Sequence, residues 1–263
     1  MKLKNGELLE GDVLKKLRSL ESNSVDLVIA DPPYFQVMED ANWDNLWSSE
    51  ENYIQWTEAW IGECRRVLKP KGLMYVFGQP GKREHVWIHL CSRACLLMQY
   101  HDMIIWDRVV GYNDRSDSFT PQYEMILALR QKGEENPYFN KDIVRTPYDE
   151  ETIKRYMSDK RYKDKAAREA HLRKGKKATN IFRVPSLKGN SKEKAGHPTQ
   201  KPVALIEKLV TSSSPDGGKV LDPFMGSGTT AVVCEDYGRT WIGIEEAADY
   251  NKITKSRLAA MPE

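Results

Sequence analysis

The sequence predicts an α/β fold built on a mostly parallel sheet of about seven strands, and three observations carry that expectation. Short apolar runs alternate with helical patterns over both ends of the chain. The run Val25–Ala30 stops abruptly at Asp31-Pro32-Pro33, as a strand does when two prolines follow it. Lys219–Val233 reads as strand, glycine-rich turn and helix. A chain of 263 residues buries one good core and a small second lobe, not two full domains.

The elements follow in order. After Val25–Ala30 comes a polar loop with Trp43 and Trp47, then a helix whose Tyr53, Trp56, Trp60, Cys64, Val67 and Leu68 recur at helical spacing. Lys69-Pro70-Lys71-Gly72 closes that helix, and Leu73–Phe77 is the next strand. A helix over Arg83–Cys95 and a final hairpin near Met103–Leu129 complete the first part, with the polar stretch Gly111–Thr120 between its strands. From about Gln131 to Gly196 the periodicity fades, Pro137, Pro147 and Pro185 interrupt it, and one helix is expected over Glu150–Lys174. Regularity returns with a helix over Val203–Val210, a strand at Val220–Leu221, a helix after Thr229, a strand Thr240–Ile244 and a last helix Tyr250–Leu258. The expected division is therefore 1–130 and 197–263 as two halves of one domain, with 131–196 inserted between them.

Composition narrows the function. Hydrophobic content of 40% beside 30% charged residues suits a soluble globular protein. Met1–Asp12 lacks the apolar core of a signal peptide, and Val25–Ala30 and Tyr123–Leu129 are too short to span a bilayer. Four cysteines (Cys64, Cys91, Cys95, Cys234) without a signal peptide read as reduced thiols, so a cytoplasmic location is expected. Cys91 and Cys95, like His85 and His89, lie one helical turn apart; no further ligand pair completes a metal site, and no metal is expected. Residues 141–196 hold 17 Lys+Arg against 8 Asp+Glu, whereas the remainder holds 23 against 30. A basic island on an acidic body is the footprint of a polyanion partner, although a solvated Lys-rich surface reads the same way.

Two constellations carry chemistry. In Asp222-Pro223-Phe224-Met225-Gly226-Ser227-Gly228-Thr229-Thr230 the glycines let a ligand approach the backbone at a helix N-terminus, and Asp222 at the strand end suits a cationic group. Neither a dinucleotide nor an ATP phosphate motif is present. The next strand ends in Glu245, where a carboxylate holds a ribose diol in nucleoside-binding sheets; the unit fits a nucleoside without a pyrophosphate. In Asp31-Pro32-Pro33-Tyr34 the prolines leave carbonyls as pure acceptors, Asp31 adds a charged acceptor and Tyr34 a flat face, which together suit an aromatic amine.

Asp31–Tyr34 resembles the [DNS]-P-P-[YFW] motif of amino-methyltransferases, and Asp222–Gly228 resembles their S-adenosylmethionine loop. The order of the two, with an irregular basic segment between, resembles the permuted beta group of N(6)-adenine/N(4)-cytosine DNA methyltransferases. Arg65–Gly72, Gly196–Pro202 and Gly238–Glu245 resemble further stretches of that family, so the likeness covers nearly the whole chain. The resemblance implies a Rossmann-like sheet, S-adenosylmethionine as cofactor and double-stranded DNA as partner. It implies that Asp31 and Pro32 accept hydrogen bonds from the target amine, within the motif that Pro33 continues, and that Tyr34 stacks on a base flipped out of the duplex. It places Asp222, Phe224, Gly226, Ser227, Gly228 and Thr229 along the cofactor, Glu245 on its ribose, Asp12 at its adenine amine, and Thr199 and Lys201 near its methionine end. For Asp12, Thr199 and Lys201 a structural role stays equally open.

The inserted region is then expected to recognise the target, with Lys163, Lys165, Arg168, Arg173, Lys174, Lys176 and Lys177 contacting phosphates. Aspartate at position 31 resembles the adenine enzymes, where cytosine enzymes often carry serine. Cytosine N(4)-methylation, a non-catalytic nucleic-acid-binding module, and RNA or protein-amide methylation stand as rivals. The resemblance leaves open a homodimer, a cognate restriction endonuclease, the recognition sequence and a bacterial or phage origin.

Overall fold

The computed structural model describes residues 5–38, 40–79, 84–112, 114, 116–134 and 136–262. In chain order the elements are β1 (Gly6–Glu10), α1 (Val13–Arg18), β2 (Val25–Ala30), a 3₁₀ turn (Asn42–Asp44), α2 (Glu50–Val67), β3 (Leu68–Gly78), α3 (Glu84–Leu97), β4 (Gln99–Asp107) and β5 (Tyr123–Arg130). There follow α4 (Glu150–Met157), α5 (Lys165–Arg173), β6 (Ile181–Arg183), α6 (Val203–Ser213), β7 (Lys219–Asp222), α7 (Thr229–Asp236), β8 (Thr240–Glu245) and α8 (Ala248–Ala259).

The strands form one eight-stranded sheet in the order β1-β8-β7-β2-β3-β5-β4-β6. Only β5 runs against its neighbours, so the sheet is mostly parallel; it contains the expected β4–β5 hairpin, with β6 added beyond it. β2 lies at the centre, pairing in parallel with β3 on one side and β7 on the other. Both its faces are covered, which is why it reads as a continuous apolar run rather than an alternating one. Val28 and Ala30 face a layer containing Leu17, Trp60, Ile61, Cys64 and Leu90 from α1, α2 and α3. Leu27 and Ile29 face the opposite layer, with Leu205, Leu209 and Val233 from α6 and α7.

Two strands escape a reading based on periodicity. β1 is an edge strand in which Leu8 alone is buried, and β6 is three residues held on the far edge by its parallel pairing to β4. Lys69–Gly72 does not simply close α2, because strand β3 already begins at Leu68. Leu68 pairs with Val25 and Leu73 with Leu27, so the residues between form an irregularity inside the strand. Arg83, at which the sequence begins the third helix, lies outside the described residues; the helix runs on to Leu97.

The single helix expected over Glu150–Lys174 is two. Asp149 caps Thr152 N at the start of α4 and Asp164 caps Ala167 N at the start of α5, so a second N-cap inside the charged stretch restarts the helix. The region 131–196 also rejoins the main sheet through β6, and Val184 belongs to the core. The excursion away from the sheet is thus α4, α5 and the Thr146–Lys176 bridge that ties its ends.

Candidate active site

Parallel strands end on the same side of a sheet, and ligands gather there. The carboxyl ends of β2, β7 and β8 open on a cavity of about 710 Å³. Asp31, Pro32, Pro33 and Tyr34 line it from β2. Asp222, Phe224, Gly226, Ser227 and Thr229 line it from β7 and the turn into α7, and Glu245 from the end of β8. Asp12, Thr199 and Lys201 also face it.

The turn after β2 is held from below by a residue that sequence motifs did not flag. Asp44 is fully buried and accepts hydrogen bonds from Tyr34 N (2.6 Å), Val37 N and Met38 N (both 2.7 Å). Burial pushes its carboxyl up, against those bonds. Phe35 (φ 60°) and Gln36 (φ 58°) both occupy the left-handed region, at a cost of about 1–2 kcal/mol per residue, and Asp44 fastens the chain on either side of them. Tyr53 Oη donates to the Pro33 carbonyl at 2.7 Å, which pins the second proline of the motif.

Asp31 sits in a chain of alternating charge. Its Oδ1 accepts from Tyr34 Oη (2.7 Å) and its Oδ2 from Lys201 Nζ (2.6 Å). Lys201 Nζ lies 3.6 Å from Glu124 Oε2, and Glu124 Oε1 lies 3.1 Å from Arg108 Nη1. Burial opposes the charge on Lys201, but Asp31 and Glu124 outweigh it and leave its ammonium above the usual lysine value. Burial likewise raises Glu124, although Lys201 and Arg108 pull it back. Lys201 therefore stands on the Asp31 carboxylate, not only beside the glycine loop; its carbonyl accepts from Thr229 Oγ1 at 3.2 Å and joins the two motifs. Glu124 and Arg108 were not foreseen. The one signal for Glu124 is an acid that precedes the apolar run Met125–Leu129 within a strand.

On the other side of the cavity, Glu245 Oε2 accepts from Gly226 N and Oε1 from Ala247 N, each at 2.8 Å, which orients the carboxylate at the strand tip. Phe224 packs against Trp56 and Trp60 at ring-centroid distances of 5.6 and 5.2 Å, which braces the glycine loop against α2. Gly226 has φ 53°, and a Cβ there would reach within 3.3 Å of His197. Gly228, in the same loop, is not among the residues that line the cavity. It is the left-handed N-cap of α7, and a Cβ there would lie 2.6 Å from Thr254, so its glycine serves the turn. Asp12 caps α1 through Lys15 N while still facing the cavity. His197, half-buried beside Tyr250, is pushed down by that burial to about 4 and is neutral near pH 7.

These residues fit a nucleoside that carries a cation. Asp222 is buried with Oδ2 accepting from Thr230 Oγ1 (2.6 Å) and Oδ1 from Phe224 N (3.0 Å), and no cation accompanies it among the described residues. Glu245 retains acceptor capacity for a diol. The inserted region is less uniform than its charge suggests. Arg173 is bonded to Glu150 and Glu169, Lys165 to the carbonyls of Met157 and Asp159, and Arg168 stacks on Tyr162 at 3.9 Å. Lys163, Lys174, Lys176 and Lys177 are exposed.

Asp222 gives a pH signature. Burial, helped by the charges of Asp31 and Glu245, outweighs the Thr230 and Phe224 bonds and pushes its carboxyl from 3.8 up to about 7. The folded state thus holds this proton more tightly than the unfolded chain, so the stabilisation is complete below pH 3.8 and is lost as pH rises through about 7. Asp222→Asn should therefore gain thermal stability relative to the parent as pH rises from about 5 to about 8. Unfolding curves whose difference stays constant across that range would overturn the assignment.

The family model described as DNA methylase matches residues 25–256. Over 251 residues the chain is 32% identical to the Type II methyltransferase M.HpaI of Haemophilus parainfluenzae, covering 95% of this chain and 73% of that protein. It is 33% identical over 254 residues to the DNA adenine methyltransferase YhdJ of Escherichia coli K12, covering 95% and 82%. Among solved structures, the cytosine-N4-specific PvuII DNA methyltransferase superposes with a TM-score of 0.73 over 100% of this chain and 88% of that one, at 18% identity. The M1.HpyAVI–SAM complex gives 0.63 over 96% and 98%, at 24% identity. At those identities the superpositions establish the fold; the family match and the sequence relatives establish that this chain belongs to the N(6)-adenine/N(4)-cytosine DNA methyltransferases, enzymes dependent on S-adenosylmethionine.

Proposed function

We propose that the chain methylates the exocyclic N(6) amine of adenine in double-stranded DNA, acting on a base turned out of the duplex into the cavity. The observation that carries this reading is the Asp31–Tyr34 turn at the end of β2, set across one cavity from the Asp222–Thr230 loop and Glu245. YhdJ, with its 33% identity, is named a DNA adenine methyltransferase, and the aspartate at position 31 agrees with it. When bound, S-adenosylmethionine supplies an electrophilic methyl group on a sulfonium.

The protein's part is to present the amine. The Pro32 carbonyl and Asp31 accept its two N–H bonds, which draws the nitrogen lone pair out of conjugation with the ring. A carboxylate offers about four acceptor positions, so Asp31 keeps room for the amine beside Tyr34 and Lys201. The N–C bond would form as the S–CH3 bond of the sulfonium breaks to leave a neutral thioether, and Asp31 would take the proton that the amine gives up. Tyr34 offers its ring to the base while its hydroxyl stays on Asp31. Asp222 takes the ammonium of the cofactor, Glu245 its ribose and Asp12 its adenine amine, with Thr199 and Lys201 closing the methionine end. Residues 131–196 serve as the target-recognition region, between a catalytic half at 1–130 and a cofactor half at 197–263. A homodimer, a cognate restriction endonuclease and a cytoplasmic setting complete the reading. Among the described residues, no helix is long and apolar enough to cross a membrane.

Incubation with labelled S-adenosylmethionine and mixed DNA, followed by nucleoside analysis, should yield N(6)-methyladenine. N(4)-methylcytosine alone would transfer the reading to cytosine, the specificity named for the PvuII enzyme of the same fold. Asp31→Ala should slow methyl transfer on the order of 100- to 1,000-fold while cofactor affinity changes only slightly. Near-parental rates would discard the assigned mechanism.

The phosphate contacts have their own readout. Log affinity for duplex DNA falls against log salt with a slope of about −0.9 per neutralised phosphate. Replacing the exposed Lys174, Lys176 and Lys177 together by Gln should flatten that slope by roughly one unit for each phosphate no longer neutralised, and leave cofactor affinity intact. An unchanged slope would return these lysines to a solvated surface.

A further inference from the structure

Glu124 is the buried carboxylate that the proposed chemistry leaves without a task. It is 5% exposed on β5, the strand that runs against the rest of the sheet. One oxygen lies 3.1 Å from Arg108 Nη1; the other lies 3.6 Å from Lys201 Nζ and 3.4 Å from Tyr34 Oη. Arg108 is itself held, its guanidinium 4.1 Å from the centre of the Tyr112 ring. The Lys201 side chain is 8% exposed, so solvent screens its charge little and the two carboxylates share it.

From this arrangement we propose that Glu124 is a positioning residue for methyl transfer. It shares the charge of the Lys201 ammonium, which is bonded to one Asp31 oxygen at 2.6 Å and lies 3.6 Å from Glu124, and it steadies the Tyr34 hydroxyl, so that Asp31 keeps an acceptor position turned to the target amine. The inference rests on Asp31 being the amine acceptor. With Glu124 neutralised, Asp31 is the one carboxylate left to Lys201 among the described residues, and Lys201 competes with the substrate for it.

The test is a double-mutant cycle in the full chain: Glu124→Gln, Lys201→Met and the two combined, with kcat, KM for duplex DNA and the dissociation constant of S-adenosylhomocysteine measured for each. Glu124→Gln should lower kcat on the order of tenfold to a hundredfold, the scale set by misplacing a reacting group. KM and S-adenosylhomocysteine affinity should hold within about twofold, the error of an additive comparison. Adding Lys201→Met should return the rate to that of Lys201→Met alone, because the competitor is gone. Losses that multiply in the double variant, an unchanged kcat in Glu124→Gln, or a fall in kcat matched by a fall in ligand affinity would each overturn the proposal. Should Glu124→Gln not fold, Glu124→Asp keeps the charge while withdrawing the carboxylate by one methylene. A reduced kcat with unchanged KM then supports the role, and a full kcat overturns it. Asp31→Ala separates the two readings: near-parental methylation by that variant sinks the amine-acceptor assignment itself, whereas failure of the cycle alone removes only Glu124.

Discussion

Leu27 pairs with Val220 and Val28 with Leu221, so β2 and β7 run side by side in one direction and end together. Everything at the site depends on that pairing. It carries Asp31 and Asp222, which lie near opposite ends of the sequence, to adjacent strand tips, where one cavity takes in both. The order of the two motifs along the chain is then immaterial to the chemistry, because a parallel sheet fixes which strand ends are neighbours and not which strand was made first. It also explains the distribution of apolar residues. A strand with helices on both faces must bury every position, and β2 has no polar side chain from Leu27 to Ala30.

The same tips would be unstable as a simple row of acids. Taking a charge out of water costs several kcal/mol even after the surroundings relax, and pairing repays this only when the geometry and hydrogen bonds are complete. On the Asp31 side the structure meets that condition with a neutral foursome: Arg108 and Lys201 against Glu124 and Asp31. The Asp222 side is different. Thr230 and Phe224 N give two good hydrogen bonds but no positive charge, and the carboxyl rises to about 7. One side of the cavity is electrostatically complete and the other is poised for a cationic ligand, which matches the division between base and cofactor in the proposed reaction.

The sequence made legible what is local and repeated in kind. Asp31–Tyr34, the glycine loop and Glu245 each announce themselves by residue type at a strand end, and six strands follow from apolar runs. What it concealed depends on contacts between distant segments. Glu124, Arg108 and Asp44 carry no motif, because a lone acid or base reveals its partner only when the fold brings one near. β1 and β6 carry too few buried side chains to leave a period. The charge of 141–196 is visible as a sum, yet its distribution is not: Arg173 bridges Glu169 and Glu150, Lys165 ties α5 to the end of α4, and Arg168 stacks on Tyr162, so all three are engaged within the inserted region. Lys201 was read beside the cofactor, and its contact with Asp31 spans 170 positions.

Tyr34 shows how the foursome reaches beyond charge. A tyrosine that stacks on a base contributes through its ring, and the ring works best when its plane is set before the base arrives. Its main-chain N–H is fixed by Asp44 and its hydroxyl by Asp31, so the side chain is anchored at both ends. Burial, reinforced by the negative charges of Asp31 and Glu124, holds the phenol well above its usual value, so it remains a donor to Asp31 at neutral pH. The ordering cost of that side chain is met in folding and not in binding. A phenylalanine there would offer the same face with nothing to hold its far end, and Asp31 would lose one of the two donors that orient it. The hydroxyl of the motif therefore ties the carboxylate and the ring together, and in the proposed reaction it would aim both at the same base.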